Sequence, residues 1–340
     1  MYLFFSFLFI SISFNQGLSV SNTVTFGHDS NPMKLSQDEI SRSGDLFLNK
    51  YSVESYYVKL NTRFKKSLDL FKRKTKFDFS LKFSEYLDLD EKSNYGIYFK
   101  INQPIGNYQY VKFEYSYIDN IFLREYDDGD FVHQYFDMIQ DVSYQCYFNL
   151  SKFAIKYQRP IINRKNQISF ILLRETHFYN KYFTEFDIEI NSVRILYKKN
   201  RKKGSYSFSY EYGSADNLTL FDGSYATSYM DRGYDENKLN FSYNHKFDGF
   251  DAGLKIYDIY RNYSSLIPQD ELHISRKHND RTHSLWIKFN LRKVSHKIMF
   301  SSRERGTDSP FEWVEGLKSF RRYDISYTVA FSKFSIGGNK

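Results

Sequence analysis

Apolar and polar residues alternate along most of this chain. Phe77, Phe79, Leu81 and Phe83 are separated by Asp78, Ser80 and Lys82. Leu285, Ile287, Phe289 and Leu291 enclose Trp286, Lys288 and Asn290. Tyr323, Ile325, Tyr327, Val329 and Phe331 enclose Asp324, Ser326 and Thr328. A period of two puts one set on each side of a β-strand. The pattern predicts strands at about 20–28, 52–64, 75–88, 94–103, 107–126 and 131–139. Others are predicted at about 142–149, 153–162, 167–178, 186–198, 204–212, 237–247, 250–260, 283–292, 295–304 and 321–333. That makes about sixteen; residues 131–162 read as two long strands or three shorter ones, so fourteen to eighteen fit.

The connections alternate in length. Lys199–Lys203 is short and 213–236 is long; Asp248-Gly249 is a two-residue hairpin signal, and 261–282 is long again. Arg292–Ser295 is short and 305–320 is long. Residues 33–50 read as a long loop with one helical turn around Ser36–Ile40. Short turns on one rim and long loops on the other predict an all-β, antiparallel, up-and-down transmembrane β-barrel. Its last strand pairs with its first, leaving no open edge.

Composition supports this reading. Aromatic residues make up 20% of the 340, with 34 Phe and 31 Tyr. Mean hydropathy is nonetheless −0.59, because every second strand residue is polar. No run approaches the roughly 18 apolar residues of a spanning helix, which excludes a helical membrane protein. Only 5 Pro are present, which suits long hydrogen-bonded ladders. No linker divides the chain, so 20–340 is expected to form a single barrel domain. The lone Cys146 excludes an internal disulfide and a multi-cysteine zinc site.

The net charge of +8 admits nucleic acid, anionic lipid or anionic solutes as partners. The basic residues are spread along strands rather than gathered in one arm, which argues against nucleic acid.

Residues 2–14 form a short apolar run, followed by the small residues of Gly17-Leu18-Ser19. Residues 1–19 therefore read as a secretory signal peptide, although no basic residue precedes the run. Cleavage near Ser19 would put the mature chain outside the cytoplasm.

One strand face is expected to touch lipid through Phe77, Phe79, Phe83, Phe99, Phe113, Phe208, Phe241, Phe289 and Phe331. A Lys or Arg there would cost roughly 2–4 kcal/mol at mid-depth. The opposite face is expected to line a lumen through Lys59, Arg63, Lys82, Lys100, Lys112, Lys288, Arg292, Lys297 and Arg303. Buried charges need water or partners. An anion-preferring pore and an ion-paired, plugged barrel both satisfy that need. A secreted β-sandwich or propeller is the structural rival.

The leader, the alternating strands and the Phe-rich last strand together resemble Gram-negative outer-membrane β-barrel proteins of the porin-like class, over most of residues 20–334. Gly27-His28-Asp29-Ser30-Asn31-Pro32 resembles a Gly-Tyr-Asp-Ser-Asn opening of several barrels, with His28 in place of Tyr. The last strand, with aromatics to Phe331 or Phe334, resembles the signal read by the barrel-assembly machinery, except that the chain continues to Lys340. The resemblance implies residence in the outer membrane among lipid and lipopolysaccharide. It implies fold and location more than activity; the first function expected is a non-enzymatic channel for small or anionic solutes or exported material. A non-conducting barrel whose loops bind partners, and an outer-membrane hydrolase, are the alternatives.

Candidate chemistry is sparse. Asp127, Asp128 and Asp130 beside His133 fit a carboxylate–imidazole protease site, a calcium loop, or a solvated Asp-Gly turn. His273, His278 and His283 gather around the loop at 261–282 without a zinc spacing. Ser295-His296 and Ser301 raise a lipase-like arrangement with no orienting acid. The basic turn Lys198–Lys203 suits anionic headgroups or a partner. Loop 213–236 combines Asp216, Asp222, Asp231, Asp235 and Glu236 with Tyr225, Tyr229 and Tyr234, a mix suited to carbohydrate or divalent-bridged lipopolysaccharide. No motif calls for a cofactor.

Overall fold

The computed structural model describes residues 17–43, 52–126, 144–219, 230–292, 294–331 and 334–336. Their strands are β1 Leu18–Asp29, β2 Ser55–Leu70, β3 Arg73–Tyr86, β4 Asn94–Gly106, β5 Gln109–Tyr126, β6 Tyr144–Ile161 and β7 Asn163–Tyr179. They continue as β8 Ile188–Arg201, β9 Gly204–Asn217, β10 Tyr234–Lys246, β11 Phe250–Tyr263, β12 Lys277–Leu291, β13 Val294–Asp308 and β14 Phe320–Ala330. Each pairs antiparallel with its sequence neighbours, and β14 pairs with β1, so fourteen strands close into a barrel. A short β15, Phe334–Ile336, resumes pairing with Leu18–Val20.

The count differs from sixteen within 131–162. The runs 142–149 and 153–162 are two halves of one strand, β6, while 131–139 lies outside the described residues. Asn149 and Ser151 interrupt the apolar series in mid-strand, which makes a continuous ladder look like a turn. The leader expected at 1–19 also falls largely outside the described residues.

One rim has very short connections. Phe71 and Lys72 join β2 to β3 with φ of 52° and 59°, the two left-handed central residues of a type I′ turn. Ile162 alone joins β6 to β7, at φ 61°. The two strand prolines, Pro104 and Pro160, sit where the register shifts, so a missing N–H breaks no regular ladder.

The other rim carries the long connections, and two fold inward. Ser36 and Glu39 form a capping box that starts helix α1, Gln37–Ser41. Asn31 fixes the chain before it, accepting from Leu35 N at 2.8 Å and donating to Leu35 O at 2.8 Å and Arg321 O at 3.0 Å. Met33 and Leu35 are thereby buried against Tyr57, Tyr86, Leu89 and Phe122. Each is worth roughly 1.5–3 kcal/mol. Helix α2, Glu312–Lys318, packs beside α1 with Val314 buried.

The closing seam is well bonded. Arg322 donates from Nε to Asp29 Oδ1 at 2.7 Å, and Tyr57 donates its hydroxyl to Asp324 at 2.8 Å. Gly27 is required there, because a Cβ would lie 2.3 Å from Cζ of Tyr57.

Candidate solute path along the inner wall

Register fixes which residues share a face. Leu60 lies opposite Phe83, Phe83 opposite Tyr95, Phe79 opposite Phe99, and Phe208 opposite Phe241. Phe77 and Phe113 flank Ile101, and Phe289 faces Phe250 and His296. Eight of the nine phenylalanines expected on one face share it by register, and Phe331, just past β14, is exposed. Phe83 keeps 54% and Leu285 59% of its surface exposed. A sandwich or propeller would bury such a band against another sheet. Here the sheet closes on itself, and the band faces away from the protein.

The inward set is polar and largely ion-paired. Lys100 meets Glu114 at 2.6 Å and Lys152 meets Glu175 at 2.7 Å. Arg63 pairs with Asp78. Three carboxylates each serve two cations. Glu211 takes Arg194 and Lys238, Glu236 takes Lys238 and Arg261, and Asp280 takes Arg303 and Arg305. Further cations rest on neutral groups. Lys112 donates to Gln158 at 2.7 Å. Lys59 lies 3.8 Å over the Tyr57 ring, and Lys82, Lys255 and Lys297 lie near the rings of Tyr98, Tyr257 and Trp286. The wall therefore has more cations than carboxylates.

Register puts Lys59, Arg63, Lys82, Lys100, Lys112, Lys288, Lys297 and Arg303 on the face opposite the phenylalanines. Arg292 is the correction. It belongs to the turn after β12, at φ 44°, because the hairpin reverses there and leaves no wall position for it. Sequence patterning also missed an inward apolar patch of Ala154, Ile171 and Leu173 with Leu196 beside it. Beside Tyr98, Lys156 and Arg194, it lines a pocket of about 220 Å³. The run Ile168–Leu173 is nearly all apolar, so alternation could not separate its two faces.

The long-loop rim concentrates positive charge beneath the inward-folded loops. Burial lowers Lys92 to about 8, with Arg322 adding to the effect. Burial pushes Lys34 and Lys318 well below the ordinary lysine value, reinforced by neighbouring arginines. Arg124 holds Glu39 at 2.6 Å. His273 bonds Asp270 at 2.7 Å through Nδ1, and burial drives its pKa well down, so its ring is neutral at neutral pH. Above this layer, α1 and α2 bound a cavity of about 660 Å³. Asp38, Glu39, Glu312 and Glu315 line it with Arg42 and Trp313.

The other candidates do not assemble. His278 and His283 lie on β12 rather than in a loop, because β11 and β12 extend the ladder to Tyr263 and from Lys277. Their odd spacing puts them on opposite faces, so the three histidines form no cluster. His296 and Ser301 also face opposite ways. His296 bonds the Tyr327 hydroxyl at 2.6 Å, while Ser301 donates to Ser284 at 2.8 Å. No group of three or more His, Cys, Asp or Glu suited to a metal ion occurs among the described residues. Asp127, Asp128, Asp130 and His133 lie outside them, as do Asp222, Tyr225 and Tyr229 of loop 213–236. Asp216, Asp235 and Glu236 of that expected loop belong to β9 and β10. In the basic stretch, Lys198–Arg201 end β8, and Lys202-Lys203 form the turn.

No family model matches this sequence, and no curated protein matches it. Solved barrels do match in shape. The outer membrane channel DcaP of Acinetobacter baumannii aligns over 93% of this chain and 97% of its own, with a TM-score of 0.50 and 7% identity. OccAB4 of Acinetobacter baumannii aligns over 94% and 100%, with a TM-score of 0.42 and 9% identity. An anion-selective porin from Comamonas acidovorans aligns over 93% and 98%, with a TM-score of 0.44 and 9% identity. A closed antiparallel barrel with an apolar outer band is the fold of an outer-membrane protein.

Proposed function

We propose that this chain is an outer-membrane channel for small solutes that prefers anions. The surplus of inward cations over carboxylates carries the reading. Lumen carboxylates are already engaged, several by two cations each, whereas Lys59, Lys82, Lys112 and Lys297 rest on amides or rings. A passing anion gains from these charges in a low-dielectric wall, and a cation does not. Lipid and lipopolysaccharide surround the phenylalanine band, the long-loop rim faces the exterior, and the last strand is what the barrel-assembly machinery engages. Residues 1–19 are the export signal.

A second reading has its own support. The buried Met33, Leu35 and Val314 fasten loops over the mouth, as a non-conducting, partner-binding barrel would require. Single-channel recording in planar bilayers decides between them. The channel reading expects stable steps and a reversal potential of anion sign under a salt gradient. Replacing Lys112, Lys288 and Lys297 together by Met should reduce that preference. Silence, or cation preference, refutes it.

A further inference from the structure

Four residues from separate segments meet at the inner edge of the long-loop rim. Arg276 ends the β11–β12 connection, His278 lies on β12, Thr307 on β13, and Lys318 on the last turn of α2. His278 and Thr307 are direct register partners. Arg276 and His278 flank one ring, with the guanidinium 3.8 Å from the Tyr263 centroid and the imidazole 5.2 Å away, edge-on. The backbone N–H of Thr307 is already engaged, donating to Ser319 Oγ at 3.1 Å, next to Lys318.

These side chains hold polar atoms with nowhere to go. Arg276 is 4% and His278 3% exposed. Nε and Nη1 of Arg276, both ring nitrogens of His278 and Oγ1 of Thr307 are buried without a hydrogen-bond partner. Leaving a buried donor unsatisfied costs about 1–3 kcal/mol, more when charged. Nearby carboxylates are already used. Asp270 accepts from Ser265, His273 and the backbone of Asp231. Glu236 is shared by Lys238 and Arg261, and Asp280 by Arg303 and Arg305. Arg261, Arg276, Arg305 and Lys318 all act on His278 electrostatically. Asp270 acts on Arg276 electrostatically, and burial holds Lys318 well below the ordinary lysine value, so the cluster lacks hydrogen-bond acceptors rather than counter-charge.

A buried guanidinium, an imidazole and a hydroxyl, all with unmet hydrogen-bonding capacity, match a small anion with several acceptor oxygens. We propose that Arg276, His278, Thr307 and Lys318 form a seat for a compact oxyanion of the phosphate class. A halide, with no directional acceptor set, would leave most of the donors unanswered. The seat deepens the channel reading, because only that reading puts it on a solute's route; binding itself does not depend on conduction.

The test is titration of the purified, folded full-length protein in detergent with inorganic phosphate, followed by calorimetry and by phosphorus NMR linewidth. Saturable binding is expected, with chloride failing to compete at equal concentration. R276M should weaken it about tenfold or more, and T307V, which keeps the shape, about threefold or more. Lys203→Met, in the β8–β9 turn on the opposite rim, should leave it unchanged. Heat-modifiable gel migration verifies that each variant is folded. No saturable phosphate binding, or binding that survives both R276M and T307V, overturns the seat. Anion conductance without phosphate binding removes the seat and leaves the channel; phosphate binding in a silent barrel removes the channel and leaves the seat.

Discussion

Replacing Asp280 by Asn should make the barrel less stable and more anion-selective at once. The carboxylate is 3% exposed and accepts from Arg303 at 2.7 and 2.6 Å and from Arg305 at 3.1 and 2.8 Å. An amide of the same size loses the charge and offers one acceptor atom, so two guanidiniums lose their counter-ion. Removing one side of a buried ion pair costs about 3–5 kcal/mol, because the other charge stays desolvated. With a urea slope of about 2–3 kcal/mol per molar, the unfolding midpoint falls by about 1–2 M. The folded wall also gains one net positive charge. Urea titration of refolded protein in detergent, read by tryptophan fluorescence, measures the first effect. The reversal potential of the same variant in a bilayer measures the second. A loss below about 1 kcal/mol would mean that the arginines find other partners, and a drift towards cations would mean that the wall does not set selectivity.

Lys92 should give a pH step. Its ammonium titrates near 8, so anion preference should weaken between pH 7 and 9, and K92M should remove the step from reversal-potential records. Between about 8 and the ordinary 10.5 the unfolded chain holds a proton that the folded one lacks, so this residue's contribution to stability rises with pH across that window. Gly27→Ala should cost about 1–3 kcal/mol in the same urea assay, because the new methyl displaces the Tyr57 ring from Asp324. Ile162→Asn should stabilise by about 1 kcal/mol, since a β-branched residue at φ 61° is strained where Asn is tolerated. Sequencing the N-terminus of the protein extracted from membranes should find it starting near Ser19; an intact Met1 would refute the leader.

Alternation carried most of the fold. Where one face is apolar and the other polar, as in Phe77–Phe83 and Tyr323–Phe331, strand position and side were both legible. It failed where lipid stops constraining the outward face. Lys277–Thr282 carries polar residues on both faces because the ladder runs on past the apolar band, so this stretch reads as loop. Asn149 and Ser151 split β6 for a related reason. That many basic residues share one face was legible, because even spacing keeps them on one side of a strand, as for Lys59 and Arg63. The rim cluster was not. Arg276, His278, Thr307 and Lys318 are brought together only by the β12–β13 register and by the fold of the connection that carries α2. Inward folding of residues 30–42 was equally hidden, since Met33 and Leu35 form no period of their own.

The ionic clasp between Asp29 and Arg322 joins positions near opposite ends of the polypeptide. Until the last segment has been made and delivered, β1 has nothing to bond on that side, and its exposed backbone invites the wrong neighbour. A chain cut short anywhere before Phe320 would therefore remain an unsealed sheet however well its remaining hairpins formed. Synthesis through β14 is in this way a structural checkpoint: the eleven residues Phe320–Ala330 decide whether everything before them becomes a finished vessel or debris for proteases.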